Sequence, residues 1–420
     1  MEKHPIYTHE KSQQEFARAV KYIPAGVYGH LGPSEGCMIP VTEWPLFGER
    51  AKGSKFWDVD GNRYIDYMCA YGPNVLGYND PDVDAAARAQ YEKCNCTTSP
   101  SPAMVDFAET LCRVADRDWA FFAKNGNDVT QFAMMISRAY TGRKKLILVK
   151  GYYHGVSPWT QNEACPGTLH EDVCNNLMVT FNDIEGLKKV VRENKGEIAA
   201  FIATPYMHGN FTDNILPEPG YWQAVRKICD EEGIVLVIDD VRCGFRLDLR
   251  GSDRYYGFDA DLICFCKALA NGYNVSALCG KQKFRGAASS ISYTGSYWMS
   301  AAPFAAGKAC LEKMEKLGGP KVLKEKGEKL MAGFKKAADK WGFDLVVSGE
   351  PSLFYLRVAD PDQNFFLHQE WICECVKRGL FLASHHNHFI NYSLTDELIE
   401  ESIQIADEAF EAVRKNHPIG

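Results

Sequence analysis

Continuous apolar runs recur through the middle of the chain, at residues 144–151, 198–205, 234–240, 260–269 and 275–281. Short apolar runs bounded by turn residues are typical of strands that are buried on both faces. Such strands belong inside a largely parallel sheet with helices on both sides. The pattern therefore predicts an α/β fold with a mostly parallel central sheet flanked by helices.

Helical segments lie between or before these runs. Residues 80–94 begin with an aspartate that can cap a helix, residues 101–115 carry proline in the first turn, and residues 128–142 end on glycine. These are ordinary start and stop signals of helices. A further strand, "AFFAKNG" at 120–126, leads directly into the helix predicted at 128–142.

The two ends of the chain differ from the middle in their pattern of hydrophobic and polar residues. Residues 56–69 alternate around an Asp-Gly turn and predict a hairpin. A charged helix, two strand candidates and two more helices follow the last apolar run. We therefore predict an N-terminal arm at 1–55 that contributes to the small domain and the active-site entrance, a large cofactor-binding domain at 56–315, and a smaller α/β domain at 316–420.

Composition narrows the class of protein. The 420 residues are 46% hydrophobic and 24% charged, with a formal net charge of −7, which suits a globular enzyme and disfavours nucleic acid as a partner. The 15 cysteines lack the spacing of a metal clip, so we expect no metal and a reducing, cytoplasmic location. No signal peptide or membrane-spanning apolar stretch is expected.

Ligands of open α/β sheets bind beyond the carboxyl ends of the strands. At the carboxyl end of strand 120–126, residues Asn125, Gly126 and Asn127 lie at the start of a helix. The free N–H groups of a helix start can bind a phosphate. An ordinary capped helix is the alternative. The next candidate ligand-binding residues follow strand 144–151.

That group consists of aromatic rings between two glycines. Tyr152, Tyr153 and His154 could stack on a flat ligand, or they could be packed loop residues, with His154 structural. The following candidates are Asp239 and Asp240, which could serve in acid–base chemistry or as metal ligands. Because neighbours on a strand point to opposite faces, at most one of them faces a given ligand atom.

Lys267 ends the apolar run that begins at residue 260. Burial lowers the pKa of a lysine and makes its amine a nucleophile that can form a Schiff base. A strand-end lysine that extends to solvent is the alternative. Together the phosphate site, the aromatic ring, the carboxylate and the lysine suit pyridoxal 5′-phosphate, whose aldehyde a lysine holds and whose pyridine nitrogen a carboxylate keeps protonated.

The motif "DDVRCGFR", followed 28 positions after Asp239 by the lysine of "KALANGY", resembles the class III aminotransferases among the fold type I pyridoxal phosphate enzymes. The resemblance covers nearly the whole chain and is nearer to the subgroup of glutamate-1-semialdehyde aminomutase. The segments "IDYMCAYGPNVLGY", "AKNGNDVT" and "GYYHGVSPW" are similar to the branch that includes the aminotransferases of fumonisin degradation.

The resemblance implies roles around the cofactor ring. Lys267 would hold the cofactor as a Schiff base and then move a proton between substrate and cofactor. Asp239 would pair with the pyridine nitrogen. Val241 and Tyr153 would pack on the two faces of the ring, with His154 beside them in the cofactor site.

The resemblance also implies a phosphate site. Gly126 and Asn127, together with Asn125, would give it backbone N–H groups. In the family, a threonine of the neighbouring subunit reaches the same phosphate. The matching position here is Ser296, with Thr294 close by, which implies a homodimer with its active sites at the interface.

Departures from the family pattern concern the substrate. Thr204 and Pro205 stand where the family has Glu-Pro, and the arm "PAGVYGHLGPS" offers Tyr28 and His30 but no arginine. This disfavours a plain α-amino acid held from the arm and favours an amine or a β- or ω-amino compound. Arg242 could hold the carboxylate of a keto acid, or it could form a surface salt bridge.

The sequence thus predicts ping-pong transfer of an amino group from an amine to a keto acid such as pyruvate. An isomerase on the same scaffold, either an aminomutase or a racemase, is the alternative that the cofactor motifs do not separate. A Mg²⁺ nucleotide-binding protein using Asp239 and Asp240 is disfavoured because the chain has no Walker A loop. Lys267 argues against a catalytically inactive scaffold.

Overall fold

The computed structural model of the chain describes residues 3–27, 43–360 and 365–418. Its helices are α1 (Glu10–Ala19), α2 (Pro81–Lys93), α3 (Pro102–Ala115), α4 (Gly126–Thr141), α5 (His170–Val173), α6 (Ile184–Glu193), α7 (Tyr221–Glu232), α8 (Ser252–Tyr255), α9 (Arg285–Ser290), α10 (Ala301–Leu317), α11 (Gly319–Lys340), α12 (Phe366–Val376) and α13 (Asp396–Asn416). Its strands are β1 (Gly48–Lys52), β2 (Lys55–Asp58), β3 (Arg63–Asp66), β4 (Trp119–Ala123), β5 (Lys145–Val149), β6 (Asn176–Val179), β7 (Ile198–Ala203), β8 (Val235–Asp239), β9 (Leu262–Phe265), β10 (Ser276–Gly280), β11 (Leu345–Glu350), β12 (Leu353–Val358), β13 (Leu380–Phe381) and β14 (His388–Phe389). The described helices are each too short or too polar to span a lipid bilayer.

A seven-stranded sheet has the order β4-β10-β9-β8-β7-β5-β6. The strands from β9 to β6 in this order pair in parallel, whereas β10 is antiparallel to both β4 and β9. The prediction of an α/β fold with a mostly parallel sheet is confirmed. Strand β6 was not predicted, because it is an edge strand that is only partly buried and has no long apolar run.

The centre of this sheet is buried on both faces. Every residue of β7, β8, β9 and β10 is buried, which is why these strands are continuously apolar. Helix α4 contributes Val129, Phe132, Ala133 and Ile136 to the same core. This helical spacing places them on one face, and burying each larger side chain contributes about 1.5–3 kcal/mol. The helix ends at Gly142, whose φ of +68° is a left-handed cap, as its sequence predicts.

The remaining strands form two smaller sheets, ordered β1-β2-β3-β13 and β11-β12-β14. Strands β2 and β3 are the predicted hairpin, and they pair antiparallel. The Asp58 carboxylate closes the turn between them by accepting the backbone N–H groups of Asp60 and Asn62 at 3.0 and 2.8 Å. Gly61 adopts a φ of +90° in this turn, a conformation that favours glycine.

Contacts within the chain divide it into two compact units. The first comprises Met1–Asp80, Asn210–Asn214 and Lys321–Gly420, and the second comprises Pro81–Gly209 and Ile215–Pro320. The second unit holds the seven-stranded sheet, and with it most of the candidate site residues.

The sequence analysis assigned residues 56–80 to the large domain, but they lie in the first unit. The reason is a long-range pairing: β3 runs parallel to β13, with Ile65 opposite Leu380 and Asp66 opposite Phe381. Such a pairing leaves no local trace in the sequence, since the hairpin pattern alone is compatible with either unit.

Candidate active site

Asp239 is the last residue of β8 and is only 5% exposed. Its Oδ2 atom lies 2.7 Å from Nδ1 of His154, and its Oδ1 accepts the backbone N–H of Val241 at 3.2 Å. An ionised carboxylate at such a depth needs hydrogen-bond donors on its oxygens. The turn after β8 and the loop after β5 supply them.

Asp240 faces away from this cluster. Its carboxylate accepts the backbone N–H of Ser252 at 2.8 Å and also the hydroxyl of Ser252. Burial raises the pKa of Asp240 to about 7, although the bonds from Ser252 oppose the shift. The predicted division of the two aspartates between opposite faces is confirmed, and Asp240 holds the start of α8.

Lys267 follows β9 and opens a short 3₁₀ turn, Lys267–Leu269. Its φ is +47°, in the left-handed region that a lysine adopts at an energetic cost and that is frequent in functional sites. The side chain is half-buried. Burial and, to a lesser extent, the Arg242 guanidinium lower the pKa of Lys267 to about 7.

The Lys267 amine is therefore expected to be neutral above about pH 7, where an ordinary lysine remains an ammonium ion. Competitive labelling of the cofactor-free protein with acetic anhydride, followed by mass spectrometry of the peptide, checks this. Labelling should rise with pH through a midpoint near 7. Exposed Lys316 on α10 is the internal control and is labelled in the same samples. Equal midpoints for the two lysines would contradict the expectation.

Helix α4 begins at Gly126 after the N-cap residue Asn125. The Asp128 carboxylate accepts the backbone N–H groups of Lys124 and Asn125 at 3.1 and 2.9 Å, which fixes the entry of the chain into the helix. The first N–H groups of a helix have no partner within it, so they can bind an anion. A side chain at Gly126 would crowd Val241, because its Cβ would lie 2.9 Å from a Val241 methyl carbon.

The side chain of Asn127 has a function that the sequence analysis did not foresee. Its Oδ1 accepts the backbone N–H groups of Val156 and Ser157 and the Ser157 hydroxyl, at 2.8, 2.9 and 3.0 Å. Gly155 permits this approach, since a Cβ there would lie 2.5 Å from Asn127 Oδ1. Asn127 thus ties the loop after β5 to the first turn of α4.

Three consecutive aromatic residues in that loop occupy different environments. The Tyr152 ring stacks on His154 with centroids 5.1 Å apart and planes 17° apart. His154 is buried, whereas Tyr153 is 61% exposed in the single chain. The loop therefore buries its histidine beside Asp239 and presents Tyr153 outward, where the phenol is close enough to Arg242 to interact electrostatically with it.

Arg242 is buried, so the alternative of a surface salt bridge is wrong. Its Nη1 donates to the backbone carbonyl of His208 at 2.8 Å and lies 3.1 Å from His208 Nδ1. Burial and Arg242 hold the pKa of His208 well below its usual range, so this imidazole is neutral. His208 was missed by the sequence analysis, although it follows a buried strand in "ATPYMHG" and was therefore a candidate by the same rule.

The sequence analysis also named residues other than those described above. Ser296 and Thr294 are exposed, and the Ser296 carbonyl accepts the Cys96 thiol at 3.4 Å. Thr204 is buried, and its hydroxyl donates to the Tyr206 carbonyl at 2.9 Å. Two predicted substrate residues, Tyr28 and His30, lie outside the described residues.

These residues fit pyridoxal phosphate. The cluster brings together a lysine with a lowered pKa, a buried carboxylate and the N-terminus of α4, where the absence of a side chain at Gly126 lets Val241 approach closely. In the described part of the chain, the buried Nε2 of His154 has no hydrogen-bond partner, as is expected of a polar atom in a site that a bound group completes. The described residues show no cluster of metal-ligating side chains.

Comparisons with known proteins agree with this fit. The family model of class III aminotransferases matches residues 39–410. The aminopentol aminotransferase of Sphingopyxis macrogoltabida is 39% identical over 98% of this chain and 97% of its own length. A glutamate-1-semialdehyde 2,1-aminomutase of Pelodictyon phaeoclathratiforme is 31% identical over 94% of this chain and 96% of its own length.

A solved structure is similar throughout. The FumI protein of Sphingopyxis sp. MTA144, in its PLP internal aldimine form, superposes with a TM-score of 0.94 at 38% identity and covers 97% of both chains. The resemblance inferred from the sequence motifs is confirmed, as are the fold and the cofactor. The chain belongs to the class III aminotransferases and is a pyridoxal phosphate-dependent enzyme of fold type I.

Proposed function

We propose that this aminotransferase takes the amino group of an amine, or of a β- or ω-amino compound, and transfers it to a small keto acid such as pyruvate. The observation that carries the proposal is the buried cation Arg242 beside Lys267, in a chain whose segment 24–34 has no arginine for an amino acid carboxylate. The relative from Sphingopyxis macrogoltabida is named for aminopentol, which by its name is an amine that carries hydroxyl groups. An amine donor is consistent with that name.

Bound pyridoxal phosphate supplies the electron sink for this reaction. Lys267 would hold the cofactor and, as a neutral amine, would accept the proton of the substrate carbon and release it again during the transfer. Asp239 pairs with the protonated pyridine nitrogen. Val241 and Tyr153 border the two faces of the ring. Arg242 binds the carboxylate of the keto acid, since guanidinium binds carboxylates through paired hydrogen bonds.

The phosphate is held by the backbone N–H groups of Gly126 and Asn127 after the cap residue Asn125. We assign its remaining contact to Ser296, or to Thr294, of a second copy of the chain. Both residues are exposed in the single chain, which leaves them accessible to a partner. The enzyme is then a homodimer with active sites at the interface, and Tyr28 and His30 contribute to the substrate entrance.

We also assign the enzyme to the cytoplasm. The support is compositional: its cysteines are scattered, and many are buried as reduced thiols. Reduced buried cysteines act as small hydrophobic residues and persist in a reducing compartment.

The test of the proposed activity is the requirement for a keto acid. Purified enzyme is incubated with a panel of amines, with and without pyruvate, and alanine and the carbonyl product are quantified. We expect amine consumption only with pyruvate, with one alanine formed per carbonyl product. Amine conversion without any keto acid, giving an isomer, would show the aminomutase or racemase reaction instead. That alternative draws support from the aminomutase relative.

A further inference from the structure

We propose that His208 is a positioning residue that fixes the guanidinium of Arg242 in the orientation that binds the carboxylate of the keto acid. This inference rests on the role proposed above for Arg242, through which His208 acts. Two contacts on one nitrogen carry it. Arg242 Nη1 donates to the His208 backbone carbonyl at 2.8 Å and lies 3.1 Å from Nδ1 of the same residue.

These two contacts use both hydrogens of Nη1. A guanidinium donates hydrogen bonds and accepts none, so His208 Nδ1 is the acceptor and the ring proton is on Nε2. One hydrogen of Nη1 then points to the ring and the other to the backbone carbonyl. Because the guanidinium of Arg242 is planar and rigid, two bonds to one of its nitrogens set the plane of the whole group. Without the imidazole, Nη1 would lose one of these two bonds.

Both acceptors on His208 are uncharged. Burial and the Arg242 charge hold the pKa of His208 well below its usual range, which keeps the imidazole neutral. A carboxylate in place of the imidazole would also orient the guanidinium, but it would neutralise the positive charge. A neutral acceptor leaves that charge to attract a carboxylate from outside the chain. Orientation by a histidine therefore suits a cation that binds an anionic substrate.

The loop after β7 holds the imidazole of His208 in place. The Thr204 hydroxyl donates to the Tyr206 carbonyl at 2.9 Å, and Met207 and Ile215 exchange two backbone hydrogen bonds at 3.0 and 2.9 Å. The Tyr206 ring meets the His208 ring edge to face, with centroids 5.2 Å apart. These contacts restrict the movement of the imidazole, which can therefore act as a fixed acceptor.

The Arg242 guanidinium belongs to the same cluster as the reacting lysine. After burial, its charge is the next cause of the lowered pKa of Lys267, and Asp239 and Tyr153 are close enough to interact with it electrostatically. In an α-keto acid the carboxylate is bonded directly to the carbonyl carbon that accepts the amino group. A rotation of the guanidinium would therefore displace that carbon from the position in which it reacts.

The test compares two acceptors of the amino group, using the full-length enzyme loaded with pyridoxamine 5′-phosphate. Pyruvate carries a carboxylate, whereas pyruvamide has nearly the same shape and no charge. Stopped-flow absorbance gives the second-order rate constant for each acceptor, and the ratio of the two reports how strongly the carboxylate is recognised. We expect His208→Leu to lower this ratio about ten- to a hundredfold, mostly through the pyruvate rate, since it removes a hydrogen bond to a charged group.

Three further variants distinguish positioning from general packing. His208→Asn keeps an acceptor oxygen at the same number of bonds from the backbone as Nδ1 and should recover most of the ratio. His208→Leu in an Arg242→Met background should change the ratio little, because the group it acts through is gone. His368→Leu removes another buried imidazole and should leave the ratio unchanged. Thermal unfolding and the visible spectrum of each variant confirm that it is folded and holds the cofactor.

The outcomes distinguish this inference from the proposed function. If Arg242→Met abolishes the preference for pyruvate while His208→Leu retains it, or if His208→Asn gives no recovery, the positioning role is overturned and the role of Arg242 stands. If the unchanged enzyme does not prefer pyruvate to pyruvamide, or if Arg242→Met keeps the preference, the role proposed for Arg242 fails, and the inference about His208 fails with it.

Discussion

Lys267→Ala is expected to lower kcat/KM for transamination by more than about 10⁴-fold, since it removes both the covalent attachment and the proton transfer. The structure provides the reason: this lysine follows a buried strand, adopts a left-handed φ, and has a pKa lowered to about 7. Two other described lysines have a lowered pKa, Lys124 at about 8 and Lys326, and neither adopts a left-handed φ.

The measurement is single-turnover kinetics with an amine donor, together with the visible spectrum before and after borohydride. The unchanged enzyme should be yellow and should lose its colour on reduction. Lys267→Ala should bind the cofactor without a reducible link, and added methylamine should restore part of the proton transfer. Lys316→Ala, at an exposed position on α10, is the matched control and should behave like the unchanged enzyme. Substantial turnover by Lys267→Ala would refute the assignment.

The strands of this protein differ in how well the sequence predicts them, and β8 is among those it predicts well. Strands such as β8 have continuous apolar runs because burial on both faces selects for them, so their existence and parallel arrangement were predictable. The separation of Asp239 from Asp240 followed from strand geometry alone. By contrast, β6 and the pairing of β3 with β13 were not predicted, because an edge strand and a long-range parallel pair have no local signal.

The sequence predicted which residues belong to the site better than it predicted which of them contact one another. Lys267, Asp239 and Gly126 were identified because each stands at the end of a strand or the start of a helix. The bond between His154 and Asp239 joins residues 85 positions apart, and that between Arg242 and His208 joins residues 34 apart. Side-chain bonds of this kind depend on how loops pack, which periodicity does not report.

Asp240 is the most useful control for the role of Asp239. It is adjacent in sequence and equally buried, yet its carboxylate binds Ser252 on the opposite face. Because burial raises its pKa to about 7, the neutral form is already well populated near that pH. Asp240→Asn resembles that neutral form and keeps an acceptor for the Ser252 N–H. We therefore expect kcat/KM for Asp240→Asn to stay within about threefold of the unchanged enzyme, since the hydrogen bonds of Asp240 go to Ser252 and are kept in this variant.

Asp239→Ala, by contrast, is expected to lower kcat/KM by about 10³-fold or more, comparable to removing a main electrostatic stabiliser from an active site. The carboxylate keeps the pyridine nitrogen protonated, so its loss weakens the electron sink on which proton removal by Lys267 depends. Stopped-flow measurement of the half-reaction with an amine, at saturating cofactor, separates this chemical effect from weaker binding. A loss of similar size in Asp239→Ala and Asp240→Asn would mean that the strand end matters only for folding. A large loss in Asp239→Ala alone would locate the chemistry on the face of β8 that His154 and Val241 also occupy.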